Sequence, residues 1–154
     1  MLKKLTDHLD TNGVKYLVLK HSPAFTAQEI AASAHLPGRE LAKTVMVKVD
    51  GKMAMAVLPA SSMVDFTMLR DGIGARAVEL ATEAEFKGLF PECEVGAMPP
   101  FGNLYNMNVY VEAGLKEDNE IAFNAGTHKE LVRLPYADFE RLVSPKILDF
   151  GSRR

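Results

Sequence analysis

Two glycines and two prolines stand within seven residues of this sequence, at Gly96, Pro99, Pro100 and Gly102. Proline fixes φ and has no N–H, whereas glycine has no Cβ that would keep a ligand away from the main chain. The stretch therefore predicts a stiff, exposed loop whose backbone N–H groups can donate to an oxygen of a ligand. A tight surface turn without a ligand is the alternative interpretation.

A second loop of small residues follows a predicted strand. It contains Gly126, Thr127 and His128, and residues at the end of an element often bind or react with ligands. The imidazole of His128 can both donate and accept hydrogen bonds. His21 occupies a similar place after the first predicted strand. For both histidines, a solvated loop position without a function is the alternative.

Lys43 opens a predicted strand and shares a face with Val45 and Val47 if side chains alternate from that point. A lysine at the mouth of an apolar strand face is a candidate clamp for an anion. The alternative is a lysine whose ammonium group extends from the strand end into water.

Several kinds of catalytic site are excluded or disfavoured. A single cysteine, Cys93, excludes an internal disulfide, and the flanking Glu92 and Glu94 are expected to raise its pKa, which argues against a catalytic thiolate. The four histidines lack H-x-x-x-H and H-E-x-x-H spacing, so we expect neither a metal nor another cofactor. Walker, G-x-G-x-x-G and G-x-S-x-G motifs are missing from the sequence, so no dedicated nucleophile is expected.

Length and composition fit one domain, residues 1–154, with 47% hydrophobic and 25% charged residues. No apolar run approaches the roughly 20 residues of a membrane span, and the charged N-terminus does not resemble a signal peptide. We therefore expect a cytoplasmic protein that binds no membrane. A net charge of −2 excludes a general nucleic-acid coat and disfavours DNA as a partner, while contact with one RNA end stays open.

The elements that position these residues are a mixture of helices and strands. Helices are predicted at about residues 2–11 with Gly13 at the end, 26–34, 63–70, 82–89 and 136–143, and strands at about 14–20, 44–49, 52–58, 76–80, 108–112, 120–124, 131–134 and 147–150. Capping boxes begin at Thr26 and Thr82. Asp50 and Gly51 predict a type I′ turn between two strands that are apolar on both faces and therefore central in a sheet. The irregular order of elements predicts an α+β fold.

Four stretches, taken together in their order and spacing, resemble the YbaK/prolyl-tRNA synthetase-associated domain family over nearly the whole chain. They read HSP at 21–23, ELAKTV at 40–45, GAMPPFG at 96–102 and NAGTH at 124–128. That family comprises aminoacyl-tRNA deacylases related to the editing insertion of bacterial prolyl-tRNA synthetase. The resemblance implies an α+β fold with a mixed, barrel-like β-sheet and flanking helices. It also implies the 3′ end of aminoacyl-tRNA as the ligand and prolyl-tRNA synthetase as a further partner.

The resemblance also assigns roles to residues. Lys43 matches a lysine thought to hold the terminal adenosine and its phosphate, and Gly96 and Pro100 match a G-x-x-x-P loop whose backbone engages the aminoacyl carbonyl. These three are the implied catalytic residues. The implied substrate-binding residues are His21, Thr44, Met98, Pro99, Phe101, Gly102, Gly126, Thr127 and His128. Thr44 and His128 are expected to line the pocket rather than act as bases, and Met98-Pro99 replaces small polar residues of better-known members.

The implied reaction is hydrolysis of a mischarged aminoacyl-tRNA ester. Water attacks the carbonyl, the terminal ribose hydroxyl beside the ester assists, and backbone N–H groups stabilise the oxyanion. We expect a small amino acid such as alanine, cysteine or serine on proline tRNA. Two other functions stay open, namely a noncatalytic module that binds RNA ends or another protein, and a small-molecule hydrolase.

Overall fold

The computed structural model describes residues 1–21 and 39–153. The predicted helix at 26–34, with the capping box that begins at Thr26, lies outside the described residues, as do Ser22 and Pro23 of the first motif. In the described part of the chain, no helix has the length and apolar composition needed to cross a bilayer.

Helices and strands alternate irregularly along the chain. The helices are α1 (Lys3–Thr11), α2 (Phe66–Ile73), α3 (Glu83–Phe86) and α4 (Tyr136–Val143), and short 3-10 turns lie at Lys87–Leu89, Gly102–Tyr105 and Ala113–Glu117. The strands are β1 (Leu17–Lys20), β2 (Ala42–Val49), β3 (Lys52–Pro59), β4 (Ser62–Val64), β5 (Val78–Leu80), β6 (Asn108–Glu112), β7 (Glu120–Asn124), β8 (Glu130–Pro135), β9 (Lys146–Leu148) and β10 (Gly151–Arg153). The predictions for β6, β7 and α4 are confirmed to the residue.

The strands form one mixed sheet and two smaller antiparallel ones. The mixed sheet has the order β5-β2-β3-β6-β9, in which β3 pairs parallel with β6 and β6 with β9, while the other pairs are antiparallel. A second sheet has the order β1-β8-β7, and β4 pairs with β10. An isolated parallel bridge joins Leu41 to Ala122. The predicted α+β fold is confirmed, although the sheets do not close into a barrel within residues 1–21 and 39–153.

The hairpin of β2 and β3 lies at the centre of the mixed sheet. Asp50 and Gly51 have φ of +49° and +83°, so both central residues of the turn are left-handed, as a type I′ turn requires. The main core, on one side, contains Met46, Met55 and Val57 together with side chains from α1, α4, β7 and β8. The second core, on the other side, contains residues of β2, β3 and α2, namely Val47, Ala54, Ala56, Leu58 and Leu69, with Tyr110 and Phe150. Both faces are dry, which confirms the prediction of central strands.

The prediction for residues 63–70 is wrong at its start, because residues 62–64 form β4 rather than a helix. Helix α2 follows Asp65, whose Oδ1 accepts from the N–H of Met68 at 3.0 Å and so caps the helix. Gly74, with φ of +79°, ends it. Met63 and Val64, the first two residues of the predicted helix, therefore pair with β10 instead.

Other boundaries differ by a few residues for local reasons. Val14 is not in β1 because its N–H donates to the carbonyl of Leu9 at 3.0 Å and still closes α1. The last predicted strand, at 147–150, ends early at Leu148, since the N–H groups of Phe150 and Gly151 donate to the Glu112 carboxylate where β10 begins. The predicted helix at 82–89 is α3 followed by a 3-10 turn, and its capping box at Thr82 is confirmed.

Candidate active site

The loop from residue 96 to residue 102 is mostly buried, so the predicted exposed loop is wrong except at Gly96. Its apolar side chains explain this burial. Phe101 is fully buried, with its ring centroid 5.6 Å from those of both Phe123 and Phe139, and Met98 is 4% exposed in the main core. Pro99, Pro100 and Gly102 are also buried. The loop is therefore stiff because it is packed, as well as because of its prolines.

Gly102 is needed for packing. A Cβ on this residue would lie 2.6 Å from Cγ2 of Val109 and 2.8 Å from the carbonyl oxygen of Met107. The sequence predicted that a bare backbone here admits a ligand. The structure shows instead that the missing Cβ makes room for the backbone of Met107 and the side chain of Val109.

The exposed end of this loop is a four-residue turn from Glu94 to Ala97. The N–H of Ala97 donates to the carbonyl of Glu94 at 3.0 Å, and Gly96, the third residue, has φ of +84°. This combination is a type II turn, in which glycine is the favoured third residue. Within the described residues, the N–H groups of Gly96 and Met98 donate to no protein acceptor. The turn therefore has backbone N–H groups that the described part of the chain does not use.

The second loop, residues 125–129, is anchored by backbone hydrogen bonds. The N–H of Ala125 donates to the carbonyl of Glu130 at 3.2 Å, and the N–H of Leu2 donates to the carbonyl of Ala125 at 3.0 Å. Gly126 has φ of +95°, and a Cβ there would lie 3.1 Å from Cβ of Leu2. The start of α1 thus presses directly on this loop.

The two loops bind each other. The N–H of Glu94 donates to the carbonyl of Gly126 at 2.8 Å, and the N–H of Gly126 donates to the carbonyl of Ala97 at 2.9 Å. The N–H of His128 donates to Oε1 of Glu94 at 3.1 Å. Two stretches that lie about 30 residues apart in the sequence therefore form one unit.

The ring of His128 is buried in this unit, since the residue is only 6% exposed. Its Nε2 lies 2.7 Å from the carbonyl oxygen of Val95. A carbonyl only accepts, so Nε2 carries the proton and donates. A Cβ on Gly96 would lie 3.5 Å from Cε1 of the same ring. The imidazole is therefore a packed donor to the turn, and its Nε2 is not placed to act as a general base.

Two further predicted residues lie at the same place. The N–H of His21 donates to the carbonyl of Lys129 at 2.9 Å, which extends the pairing of β1 with β8. Oγ1 of Thr127 accepts from the N–H of Lys129 at 3.3 Å. The backbone of His21 thus lies beside Lys129, the residue that follows His128.

Lys43 is the second residue of β2. It pairs with Leu58 and lies on the face that carries Val45 and Val47, as predicted. The parallel bridge from Leu41 to Ala122 aligns the start of β2 with the end of β7, so Lys43 and Asn124 each lie two residues beyond the bridge. Thr44 alternates to the opposite face, toward the main core, and so does not share a face with Lys43.

Sequence reasoning missed three residues of this site. Glu94 and Val95 accept hydrogen bonds from His128, and nothing in their types or positions indicates this. Oδ1 of Asn124 is buried and accepts no hydrogen bond from the part of the chain that the structure describes. It is an acceptor available to a bound ligand, and its place as the first residue of the NAGTH motif was the available signal.

Cys93 borders the site without the properties of a nucleophile. Burial raises the pKa of its thiol, and the charge of Glu92 adds to that effect, whereas a hydrogen bond with Tyr105, whose hydroxyl lies 3.8 Å away, opposes it. The predicted direction is correct, but desolvation rather than the flanking carboxylates is the main cause.

Comparison with known proteins agrees with the predicted family. The model of the aminoacyl-tRNA editing domain matches residues 21–142. The multifunctional Ser/Thr-tRNA deacylase ProXp-y of Escherichia coli (strain K12) is 29% identical over 153 residues, which cover 96% of this chain and 91% of that protein. A proline–tRNA ligase of Staphylococcus epidermidis is 26% identical over 137 residues, which cover 82% of this chain and 24% of the ligase.

Solved structures show the same fold. The hypothetical protein APE2540 superposes with a TM-score of 0.86 at 19% identity, covering 97% of this chain and 100% of that one. A protein assigned as a trans-editing enzyme for prolyl tRNA synthetase superposes with a TM-score of 0.81 at 20% identity, covering 97% and 96%. At these identities the superpositions inform on the fold alone. The family match confirms the predicted class, an aminoacyl-tRNA deacylase. Because that match covers most of the residues of this chain, the chain belongs to the aminoacyl-tRNA editing domain family.

Proposed function

We propose that this chain hydrolyses the ester bond of a tRNA mischarged with a small amino acid, with alanine, cysteine or serine on proline tRNA as the first substrates to test. The observation that supports this most is the type II turn at Gly96, which presents backbone N–H groups at the junction of two bonded loops. Preorganised backbone donors can supply a large part of the rate of an ester hydrolysis.

In the proposed reaction, the oxygen of a water molecule bonds to the acyl carbon. The carbonyl oxygen becomes an oxyanion, which accepts hydrogen bonds from the N–H of Gly96 and from neighbouring loop donors. The bond between the acyl carbon and the ribose oxygen then breaks, and the ribose oxygen takes a proton that derives from the water. The second hydroxyl of the terminal ribose assists by accepting and passing on that proton, so no protein nucleophile is required.

Lys43 is proposed to bind the phosphate of the terminal adenosine. It lies at the start of β2, two residues beyond the bridge from Leu41 to Ala122, and Asn124 lies two residues beyond the same bridge on β7. An ammonium group in this position attracts a phosphate and fixes the ester relative to the loops. His21, Thr127 and the packed Met98 then border the space for the amino acid.

The choice of substrate rests on size. A pocket that excludes larger residues separates amino acids by about 1–3 kcal/mol per methylene, and buried Met98, Pro99 and Pro100 leave a stiff wall. The relatives suggest the tRNA and the amino acids: one is named as a deacylase of Ser/Thr-tRNA and another as a proline–tRNA ligase. Prolyl-tRNA synthetase is therefore the proposed partner that supplies mischarged tRNA, and threonine joins the test panel.

The experiment follows loss of the ester from proline tRNA charged with alanine, cysteine, serine, threonine or proline, using wild type, Lys43→Ala and the control Lys52→Ala, an exposed lysine of β3. We expect selective hydrolysis that Lys43→Ala lowers by at least about 10²-fold, with a melting temperature lower by no more than about 4 °C, or about 1 kcal/mol.

Two results would contradict the proposal. Binding of tRNA that weakens steeply with salt, without hydrolysis of any ester, would favour the noncatalytic module. Equal turnover of simple amino-acid esters and charged tRNA would favour a small-molecule hydrolase.

A further inference from the structure

The peptide between Val95 and Gly96 is the central peptide of the type II turn. Turns of types I and II differ mainly by a half rotation of this peptide, which changes the second residue's ψ and the third residue's φ. Glycine accepts either sign of φ at little cost. The identity of Gly96 therefore permits both orientations and does not choose between them.

Most hydrogen bonds around the turn hold its ends. Ala97 donates to Glu94 across the turn, and Glu94 and Ala97 are each bonded to Gly126. None of these bonds involves the carbonyl of Val95 or the N–H of Gly96. They would remain if the central peptide rotated.

The bond from Nε2 of His128 to the carbonyl oxygen of Val95, at 2.7 Å, acts on the central peptide itself. In a trans peptide the C=O and the N–H point in opposite directions, and the described chain contains no cis peptide bond. Holding the Val95 carbonyl on the imidazole therefore directs the N–H of Gly96 away from the ring. The burial of His128 and the bond from its N–H to Glu94 fix the donor in turn.

We propose that His128 is a positioning residue, whose Nε2–H holds the Val95 carbonyl and thereby aims the N–H of Gly96 at the oxyanion. This inference rests on the proposed ester hydrolysis and adds a role for His128 other than lining the amino-acid pocket. Without the hydrogen bond from His128, the peptide between Val95 and Gly96 can rotate. It then presents the Val95 carbonyl, an acceptor, where the reaction needs a donor.

The test uses three substitutions of His128. Glutamine places an amide N–H close to the position of Nε2, asparagine places one close to Nδ1, and leucine provides neither. We expect kcat to fall about 10- to 100-fold in His128→Leu and His128→Asn, a part of the 10²- to 10³-fold cost of losing an oxyanion donor outright. His128→Gln should recover most of the rate.

The same fall in kcat is expected for every aminoacyl-tRNA that wild type hydrolyses, with KM unchanged, because the aimed donor acts on the carbonyl that all esters share. Melting temperatures of the three variants identify any that fails to fold. If His128→Leu does not fold, His128→Gln and His128→Asn can still be compared. A change confined to one amino acid, a change in KM alone, or equal rates for His128→Gln and His128→Asn would overturn the inference. Absence of hydrolysis by wild type would instead refute the proposed function.

Discussion

The β2-β3 hairpin and the pair of loops at the candidate active site are both largely buried, but different interactions hold them. The hairpin has a continuous ladder from Ala42 opposite Pro59 to Val49 opposite Lys52, with an apolar core on each face. The loops are joined, among the described residues, by four hydrogen bonds that connect Glu94, Val95 and Ala97 with Gly126 and His128.

This difference separates stability from function. Removing one rung or one side chain of the hairpin leaves many equivalent interactions, so the cost appears in the free energy of unfolding. Each loop bond holds one particular peptide, so losing it changes where a donor points. Apart from Lys43, the proposed phosphate ligand at the start of β2, we therefore expect substitutions in the hairpin to affect stability first and substitutions in the loops to affect catalysis first.

The largest expected effect on stability is that of Met55→Ala. Met55 is fully buried in the main core on β3, and such truncations cost about 2–5 kcal/mol. Urea unfolding measures this loss, and kcat below the melting temperature should match wild type. Met63→Ala is the control, since Met63 is 51% exposed and should change stability by at most about 0.5 kcal/mol. A large loss of kcat in folded Met55→Ala would show that packing of the hairpin also controls catalysis, and would contradict the distinction between the two regions.

A pair of glycine substitutions compares the two regions directly. Gly51 in the hairpin and Gly96 in the loop have φ of +83° and +84°, so alanine costs each a similar strain of about 1 kcal/mol or more. We expect kcat to fall about 10²-fold in Gly96→Ala and to stay unchanged in Gly51→Ala. Equal kcat values in steady-state assays of the two variants would show that the Gly96 peptide is not part of the catalytic machinery.

The smallest effect concerns the ion pair that ties α3 to the hairpin. Nζ of Lys48 lies 2.6 Å from Oε2 of Glu85, and hydrogen bonds from Lys48 and then Thr82 lower the pKa of Glu85 from 4.5 to about 2. Because the pKa of Glu85 is lower in the folded state than in the unfolded state, its ionised form stabilises the fold at any pH above the unfolded-state pKa. That contribution is lost as the pH falls through the folded-state pKa of about 2.

Glu85→Gln should therefore show a shallower loss of urea-unfolding midpoint than wild type between about pH 5 and pH 2. Parallel curves for the two proteins would mean that this pair does not contribute. The value of kcat should be the same in both, because Glu85 belongs to the hairpin side of the comparison.

Local chemistry made much of the fold predictable. Asp50-Gly51 determines a turn by its two positive φ values, and Thr82 with Glu85 determines a helix start by reciprocal hydrogen bonds. The error at residues 63–70 arose where an apolar helical pattern competed with pairing to β10, a partner more than 80 residues away. Asp65, a strong N-cap residue, was the overlooked local signal.

The candidate site was predictable only in part. Gly96 and His128 were identified by type and by resemblance, and the structure brings them together. The bond from His128 to Val95 spans 33 positions and ends on a carbonyl that every residue has. No side-chain pattern can indicate such an acceptor. Burial of residues 97–102 was missed because the apolar residues there follow neither a helical nor a strand period.

The bond from Leu2 to Ala125 has a consequence for synthesis of the chain. The hairpin can close as soon as residue 59 has left the ribosome, whereas the loop at Ala125 needs both the first residues of the chain and Glu130, to which its N–H donates. Contacts between distant residues form late because closing a long loop is entropically costly. In a nascent chain the two strands of the hairpin can therefore pair before residue 130 has been added, whereas the loops of the candidate site can be joined only after it.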